Sequence, residues 1–480
     1  MKLLDVLKIG ALVAGAFALS AGSGEVQKFL RVDPFAQLRS SQQEQPADLG
    51  FRLTNVALRQ YSGPKLVARI DVDRLDVRKD RGQFELRGLK NGRYFGKDGQ
   101  EVGFVGNSGT YSASQQFLWV NDYSTVRGKD FELQTASFTY DERKQLVHIP
   151  NRVTGKLMGG TIVADKFDYN AKTSSFEGGP IRWSGELTPL LQDDEKPKPT
   201  KWDIVAKYIS SEGSKTNTNV YTEGQASDGE VIVQATKIEH NTKTDVLTAT
   251  GKVRYFSPSA NLVAEKVVIY RKEKRALLTG AVRMLVKPDK ERDKPAKVEE
   301  IPPFAPVVPD DIKAARPEPA PTEEEKKQNE ELRKPKTLRD YPMAITATQI
   351  EYFYQKGKRR AIVTGAPMAR QELSGQKWRQ VWAFKADYDL ESEKLRLDSS
   401  PGKKDTRMKN SIGDDLIAKW LEFSTKEDDD SYSGEDMTGA FVTEDEDIPA
   451  DRGTKPAEKG KKDPPPTKPK GGGGLSGRIG

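Results

Sequence analysis

A six-residue segment that recurs along the chain is the feature that most narrows the possible folds. Each copy begins with an alanine and carries an apolar residue three positions later, and most copies have an aromatic or apolar residue two positions after that. The copies begin at Ala164, Ala235, Ala264, Ala347, Ala383 and Ala418, and Thr135–Tyr140 is a weaker copy. Because such repetition is typical of folds that stack one supersecondary unit, the sequence predicts a repeat protein.

Short alternations of apolar and polar residues indicate that each segment is a β-strand. In a strand, the residue before the alanine shares a face with the third and fifth residues after it. Two sets that share a face in this way are Val163, Phe167 and Tyr169, and Ile417, Leu421 and Phe423. The opposite face is predicted to carry the alanine together with many charged residues.

A glycine follows each strand at a nearly constant distance. Gly251 and Gly280 lie 16 residues after their alanines, and Gly365 lies 18 residues after Ala347. Polar turns separate the alanine strand from the strand that ends in this glycine. Since glycine permits a bulge or a sharp bend, the fold class is predicted to be all-β, with antiparallel hairpins stacked in one direction and no closed barrel.

Composition divides the chain into segments. Only 35% of the residues are hydrophobic and 31% are charged, so part of the chain is predicted to lack a core. Residues 189–201 and 286–340 are rich in proline and charge, and proline removes the backbone donors that strands need. These observations predict β-repeats in three regions, a linker between the second and third, and a low-complexity tail. The regions are 50–190, 200–285 and 341–445, the linker is 286–340, and the tail is 446–480.

The N-terminal segment has the pattern of an export signal. Lys2 and Lys8 precede an apolar run of 14 residues, Ile9–Gly22, which suits a secretory signal cleaved near Ala21. A helix that spans a membrane usually needs about 20 apolar residues. Residues 1–24 are therefore predicted to be a signal peptide or a retained membrane anchor, with a buried core helix as the remaining interpretation.

The sequence offers little for catalysis. Cysteine is absent, which excludes disulfides, thiol chemistry and cysteine-based zinc sites, and His148 and His240 are the only histidines. Residues 213–216 lack the upstream glycine of a phosphate loop, and the acidic residues 428–430 are interpreted as a solvated turn. We predict that the protein is not an enzyme and uses no cofactor or metal. The net charge of +7 suits an anionic partner, but no nucleic-acid partner is predicted.

These repeats resemble the OstA-like domains of the periplasmic lipopolysaccharide-transport family, of the LptA and LptC type. The match is best at residues 235–253 and 264–282, where an alanine strand, a turn and a Thr-Gly-x-Val ending occur in order, and 347–367 is close. The resemblance covers roughly residues 130–285 and 341–440, while 50–128 fit only loosely around Ala68 and 109–120. Unlike the usual family member, this chain is long and is interrupted by a proline-rich insert.

The resemblance implies a twisted, half-open β-jellyroll with an apolar groove that carries lipopolysaccharide, or a similar glycolipid, across the periplasm from the inner to the outer membrane. It also implies partners: other β-jellyroll transport proteins that pair through sheet edges, and an inner-membrane transporter complex. The predicted groove residues are Val163, Phe167, Tyr169, Ile238, Val267, Ile269, Ile350, Tyr352, Trp382, Tyr388, Leu421 and Phe423.

Two other functions remain open at this stage. A structural or surface repeat protein would use the same apolar residues to fill a sealed core without a ligand. A β-helix enzyme acting on glycans would need a shorter, steadier period and a cluster of carboxylates or basic residues on one face, and the sequence shows neither.

Overall fold

The repeats fold into antiparallel strands. The computed structural model describes residues 49–79, 82–96, 101–191, 198–213, 215–292, 295–299, 329, 340–373, 377–426, 429 and 431–440. These residues form 30 strands and one short 3₁₀-helix at Asp289–Glu291. Every described strand pairing is antiparallel, which confirms the predicted all-β class with stacked hairpins over 50–285 and 341–440. All of these residues belong to one compact unit.

Strand length varies along the chain. The first five strands are long: β1 (Leu49–Ser62), β2 (Lys65–Arg78), β3 (Gln83–Phe95), β4 (Glu101–Ser112) and β5 (Phe117–Arg127). Eight short strands follow: β6 (Phe131–Thr135), β7 (Phe138–Asp141), β8 (Leu146–Ile149), β9 (Val153–Leu157), β10 (Gly160–Ala164), β11 (Phe167–Asn170), β12 (Ser175–Gly178) and β13 (Ile181–Leu187). Seven long strands come next: β14 (Thr200–Ser211), β15 (Thr218–Ser227), β16 (Ile232–Asn241), β17 (Val246–Phe256), β18 (Ala260–Tyr270), β19 (Arg275–Val286) and β20 (Met343–Phe353).

The last ten strands are short again: β21 (Arg360–Thr364), β22 (Met368–Glu372), β23 (Trp378–Trp382), β24 (Lys385–Asp389), β25 (Lys394–Asp398), β26 (Thr406–Asn410), β27 (Asp415–Ala418), β28 (Trp420–Ser424), β29 (Tyr432–Glu435) and β30 (Thr438–Ala440). Along the chain, these short strands are added to two separate rows of hydrogen-bonded strands, and the short strands β6 to β13 are arranged in the same way.

The described strands form one continuous sheet that folds along a line of bends into two layers, which we call sheet 1 and sheet 2. Each of β16 to β20 pairs in two segments separated by a register shift, so one strand contributes to both sheets. Sheet 1 contains the segments 232–235, 253–256, 260–264, 282–286 and 343–346, continued by β22, β23, β26, β27 and β30. Sheet 2 contains the segments 237–241, 246–250, 266–270, 275–279 and 349–353, continued by β21, β24, β25, β28 and β29. We call the line of bends the seam.

The repeated glycines lie at the seam. Gly251, Gly280 and Gly365 have φ values of +76°, +80° and +81°, in the left-handed region that glycine adopts without strain. The hydroxyl of Thr236 donates to the carbonyl of Gly251 over 2.8 Å, and Thr348 repeats this contact with Gly365 over 3.1 Å. The predicted bend at the Thr-Gly-x-apolar motif is therefore present.

The repeat alanines are buried, so the expectation that they share a face with the charges was wrong. Ala164, Ala264 and Ala418 are 1%, 2% and 0% exposed. The bend after each alanine resets the alternation of side chains, so the alanine of sheet 1 and the third residue after it, in sheet 2, both point inward. The small alanine is suited to the narrow angle between the sheets.

The residues around the proline-rich insert are partly packed. Ala296 is 9% exposed, and the Nδ2 atom of Asn261 donates to the Oε2 atom of Glu299 over 3.0 Å. Residues 287–292 and 295–299 therefore lie against sheet 1, where the sequence predicted a linker. Of 300–339, only residue 329 is described, and the N-terminal segment 1–24 and the tail 446–480 lie outside the described residues. The predicted division of the repeats into three regions stays a prediction.

The edge strand β1 is held to β2 by a buried carboxylate. The Nε atoms of Arg52 and Arg74 donate to Asp76 over 2.6 Å and 2.8 Å, and Asp76 is 5% exposed. Burial alone would raise the pKa of Asp76, but the hydrogen bonds from Arg74 and Arg52 outweigh it and hold the pKa below its ordinary value. This stabilisation is complete above about pH 4 and is lost as the pH falls through the lowered pKa.

We expect Asp76→Asn to destabilise β1 by about 1–3 kcal/mol, because two arginines lose the charge that they pair with. Hydrogen exchange of the amides of β1 measures the change. Asp73→Asn is the control, since the pair of Asp73 with Lys90 is exposed and should change stability by less than about 1 kcal/mol. Equal protection of β1 in the parent and Asp76→Asn would contradict the prediction.

Candidate functional site: an apolar trough between two sheets

Two rows of inward side chains run along sheet 2 and form the floor of a trough. The members of each row are cross-strand partners, so they stack at the spacing of neighbouring strands, about 4.8 Å. The inner row, next to the seam, is Phe167, Gly178, Ile209, Tyr221, Ile238, Ala249, Val267, Leu278, Ile350, Val363, Ala386, Leu397 and Leu421. The outer row is Tyr169, Phe176, Ser211, Asn219, His240, Leu247, Ile269, Ala276, Tyr352, Ala361, Tyr388, Leu395 and Phe423.

Ten of the twelve predicted groove residues belong to these two rows. The half-buried ones are Ile238, Val267, Ile269, Tyr352 and Tyr388. The buried ones are Phe167, Tyr169, Ile350, Leu421 and Phe423. The sequence therefore predicted which side chains the fold would bring together, and their role in binding lipid stays a prediction.

Val163 and Trp382 point away from the trough. Each precedes a buried alanine and follows an inward residue, Ile162 and Val381 respectively. Because side chains alternate along a strand, Val163 and Trp382 lie on the outer face of sheet 1. The structure therefore does not place these two predicted groove residues in the trough. Their prediction assumed that side chains keep alternating between the two faces along the whole segment. The bend after the alanine breaks this alternation.

The opposite wall of the trough comes from sheet 1 and was missed by the sequence analysis. Its inward row is Ile162, Trp183, Ile204, Ala226, Val233, Tyr255, Leu262, Met284, Ile345, Ala369, Val381, Met408 and Leu416. A signal for it exists, since the residue two positions before each repeat alanine is apolar in every copy. That position shares the inward face with the alanine.

The two walls face each other across one interior. Leu262 and Met284 of sheet 1 pack in the same apolar cluster as Leu278 and Tyr352 of sheet 2. Burial raises the pKa of Tyr255 to about 12, and the phenol of Tyr352 adds to this shift. The tyrosine of the wall therefore stays neutral at physiological pH.

The trough is closed in its N-terminal part. Phe104 and Phe138 meet with ring centroids 5.9 Å apart, and Phe131 lies 4.7 Å from Tyr169 across the interior. Core residues such as Leu133 and Ile149 are 0% exposed there. The side chains around Leu133 and Ile149 therefore pack as an ordinary core.

Further along, several of the inward side chains are only half-buried, while Leu262, Leu278 and Ile350 are buried. Ile238, Val267 and Ile269 of the floor, and Tyr255 and Met284 of the opposite wall, all remain partly accessible. Apolar side chains that line an interior and yet stay accessible indicate that the two walls do not seal against each other. Between β15 and β20 the interior is therefore half-open, over about 24 Å at the usual strand spacing.

The open side lies between two rims of turns, opposite the seam. A cavity of about 950 Å³ lies between the rims along the strands β3 to β16. Its lining combines aromatic side chains, amides and a hydroxyl with five charged side chains. The uncharged ones are Phe131, Tyr169, Phe176, Asn217, Asn219 and Thr242, and the charged ones are Arg93, Glu101, Arg127, Lys129 and Asp130. The opening is therefore polar at the rim and apolar inside.

His240 lies at this rim in the outer row. Its Nε2 atom is 3.2 Å from the Oδ1 atom of Asp245, and the Nη1 atom of Arg271 lies 3.2 Å from the same oxygen. His240 is half-buried in the lining of the trough. Among the described residues, no group of three histidine, cysteine, aspartate or glutamate side chains could hold a metal ion. The described part of the chain also contains no helix that is long and apolar enough to cross a membrane.

Comparison with known proteins gives one match. Residues 232–413 match the model of a family described as LptA/(LptD N-terminal domain) LPS transport protein. The matched range begins at the first residue of β16 and includes most of the half-open trough. The match supports an OstA-like family of lipopolysaccharide transport for these residues, without separating the LptA type from the LptC type. A search of curated proteins found no match to the chain.

Proposed function

We propose that this protein is a non-enzymatic component of lipopolysaccharide transport that holds the acyl chains of its cargo in the half-open trough. The observation that carries the proposal is the coincidence of two features. The matched range of the family model, residues 232–413, includes β16 to β20, which are five of the six strands along which apolar side chains of the interior remain accessible.

The physical need for such a trough follows from the cost of wetting acyl chains. Moving one CH₂ group from water into an apolar environment gains about 0.8 kcal/mol, so a chain of about 12 carbons gains about 10 kcal/mol. An extended acyl chain is about as long as one leaflet of a bilayer core is thick, about 15 Å. This length is shorter than the opening of about 24 Å. The half-open stretch is thus long enough for chains in extended form.

The place of action that fits this cargo is the periplasm, between the inner and outer membranes. The N-terminal residues that would act as a signal or anchor lie outside the described residues, so both the anchored and the bridging role are compatible with the trough. A structural repeat protein without cargo remains the alternative, and the closed N-terminal core is the observation that favours it.

Native mass spectrometry of the purified full chain tests the proposal. We expect a population with the mass of one bound lipopolysaccharide after expression in cells that make this lipid. The bound mass should shift when the cells make lipopolysaccharide with fewer acyl chains. A chain that is free of lipid, and that takes up none when lipopolysaccharide is added, would favour the structural alternative.

Pairing with a like-folded partner would use the open sheet edges. Among the described residues β1 pairs with β2 alone, and β29 and β30 each pair with one strand. The strands that carry Ala68 and Ala418, β2 and β27, are not edges, because each pairs on both sides. Unpaired backbone donors and acceptors of an edge strand can accept a further strand.

We expect a photo-crosslinking residue at Thr54 or Ala57 of β1 to capture another β-jellyroll protein in cells. The same residue at Ala68, inside the sheet, is the control and should capture much less. Mass spectrometry identifies the captured protein. If the β1 positions capture no more than Ala68, the proposed bridge through this edge is wrong, even if the trough binds lipid.

A further inference from the structure

The turns at the rim of sheet 2 carry a concentration of positive charge beside the half-open trough. We define the basic rim as the turns 241–245, 271–274 and 355–359. These turns contain seven lysines and arginines and two carboxylates, a net charge of +5. Their cations are Lys243, Arg271, Lys272, Lys274, Lys356, Lys358 and Arg359.

The three turns are joined into one surface. The amide of Arg271 donates to the carbonyl of Asp245 over 3.3 Å, and the amide of Tyr354 donates to the carbonyl of Lys274 over 2.9 Å. The ammonium of Lys272 also donates to the carbonyl of Lys243 over 2.8 Å. The backbone therefore holds these cations side by side along the rim.

Part of this charge is not neutralised by neighbours. Arg271 pairs with Asp245, and Arg359 pairs with Glu391 over 2.8 Å. Lys243, Lys356 and Lys358 form no ion pair with any described residue. Three lysine ammonium groups are thus available to an anion outside the protein.

The charge is confined to this stretch of one rim. The next turn of the same rim, 390–393, carries two carboxylates and no cation. The facing turns of sheet 1, 228–231, 257–259 and 287–292, sum to a net charge of −1. The basic rim therefore borders the part of the trough with accessible apolar side chains, on one side only.

We propose that the basic rim binds the phosphate groups of an amphiphile whose acyl chains lie in the trough. Lysine ammonium groups bind phosphate through charge-assisted hydrogen bonds, and the adjacent apolar interior would hold the acyl chains of the same molecule. The inference rests on the proposed function and adds to it the part of the cargo that is recognised and the direction in which the cargo faces.

The test compares lipid ligands that differ only in phosphate. The full chain is titrated with diphosphoryl lipid A and with the dephosphorylated lipid of the same acyl chains. We expect the parent to bind the diphosphoryl form at least about tenfold more tightly, and this preference to shrink as salt is raised. The combined variant Lys243→Gln, Lys356→Gln and Lys358→Gln should lose most of the preference and still bind the dephosphorylated lipid as the parent does.

The matched control is the combined variant Lys156→Gln, Lys172→Gln and Lys201→Gln, which removes the same charge from exposed positions elsewhere. It should keep the preference of the parent. If the parent binds both lipids equally, or if the rim variant keeps the preference, the proposed phosphate binding by the basic rim is wrong. The proposal that the trough binds acyl chains is not affected by either result. A parent that binds neither lipid overturns the proposed function as well. Inorganic phosphate alone should bind the parent no more tightly than it binds the rim variant, and a difference would point to free phosphate as the ligand.

Discussion

Val267→Glu is expected to reduce lipid loading at least about tenfold. Val267 lies in the inner row of the floor, where its cross-strand partners are Ala249 and Leu278. A glutamate there would place a carboxylate against acyl chains with no cation beside it, which costs about 2 kcal/mol or more. Native mass spectrometry of the bound fraction, or titration with a lipid, measures the loss.

Val263→Glu is the control, because it makes the same substitution in the same strand on the outer face. Val263 lies between Arg254 and Arg283, so the new carboxylate gains two neighbouring cations on the outer face. We expect lipid loading to stay within about twofold of the parent for this variant, since exposed charge pairs contribute little. Lys266→Glu, at a position of the same strand that is exposed, should behave in the same way.

Folding has to be separated from binding in this experiment. Val267 is half-buried, whereas Ile350 in the same row is 4% exposed. Ile350→Glu should therefore lower the stability of the protein more than Val267→Glu does. A Val267→Glu protein that has the circular dichroism and melting of the parent and still carries lipid as the parent does would show that the floor does not contact the cargo.

The repeated alanine and glycine were sufficient to predict the hairpins, because both residues answer local requirements. An alanine fits the angle between the sheets, and Gly251 and Gly280 adopt a φ that other residues avoid. Residues that meet such local requirements recur at a constant spacing, so they can be recognised in the sequence alone.

The wall from sheet 1 could not be predicted by continuing the alternation through the bend. One strand contributes to two sheets, and the extra residues at the seam place Ala264 and Val267 on the same inward side. A count of alternate positions from Val267 back toward the N-terminus therefore selects Val263, which faces outward. The facing row, including Leu262, becomes visible only when the count starts again from the alanine.

The N-terminal strands follow the same plan with weaker sequence signals. Gly88 has a φ of +63°, and a Cβ atom there would lie 2.2 Å from the Oδ2 atom of Asp73. Asp73 follows Val72, which is 3% exposed and occupies the place of the repeat alanine. Since the position needs a buried residue and not specifically alanine, a search for alanine strands missed this copy and placed the nearest one at Ala68.

Gly365→Ala is expected to destabilise the fold by about 2–4 kcal/mol. Gly365 lies at the seam between β21 and β22 with a φ of +81°, and a Cβ atom there would lie 2.3 Å from the Cβ atom of Thr348. The left-handed conformation costs an alanine about 1 kcal/mol, and the contact with a β-branched neighbour forces the two strands apart. The free energy of unfolding in urea measures the loss, and hydrogen exchange should show it first in β20 to β22.

Gly357→Ala separates the two contributions to this loss. Gly357 has a φ of +77°, nearly the same as Gly365, but a Cβ atom there would meet nothing within 4 Å. Its substitution should therefore cost only the conformational part, about 1 kcal/mol. If Gly365→Ala costs no more than Gly357→Ala, the close approach at the seam does not limit the residue, and the repeated glycine reflects backbone conformation alone. A larger loss at Gly365 means that the angle between the two walls, and with it the width of the trough, is set by the absence of a side chain at this position.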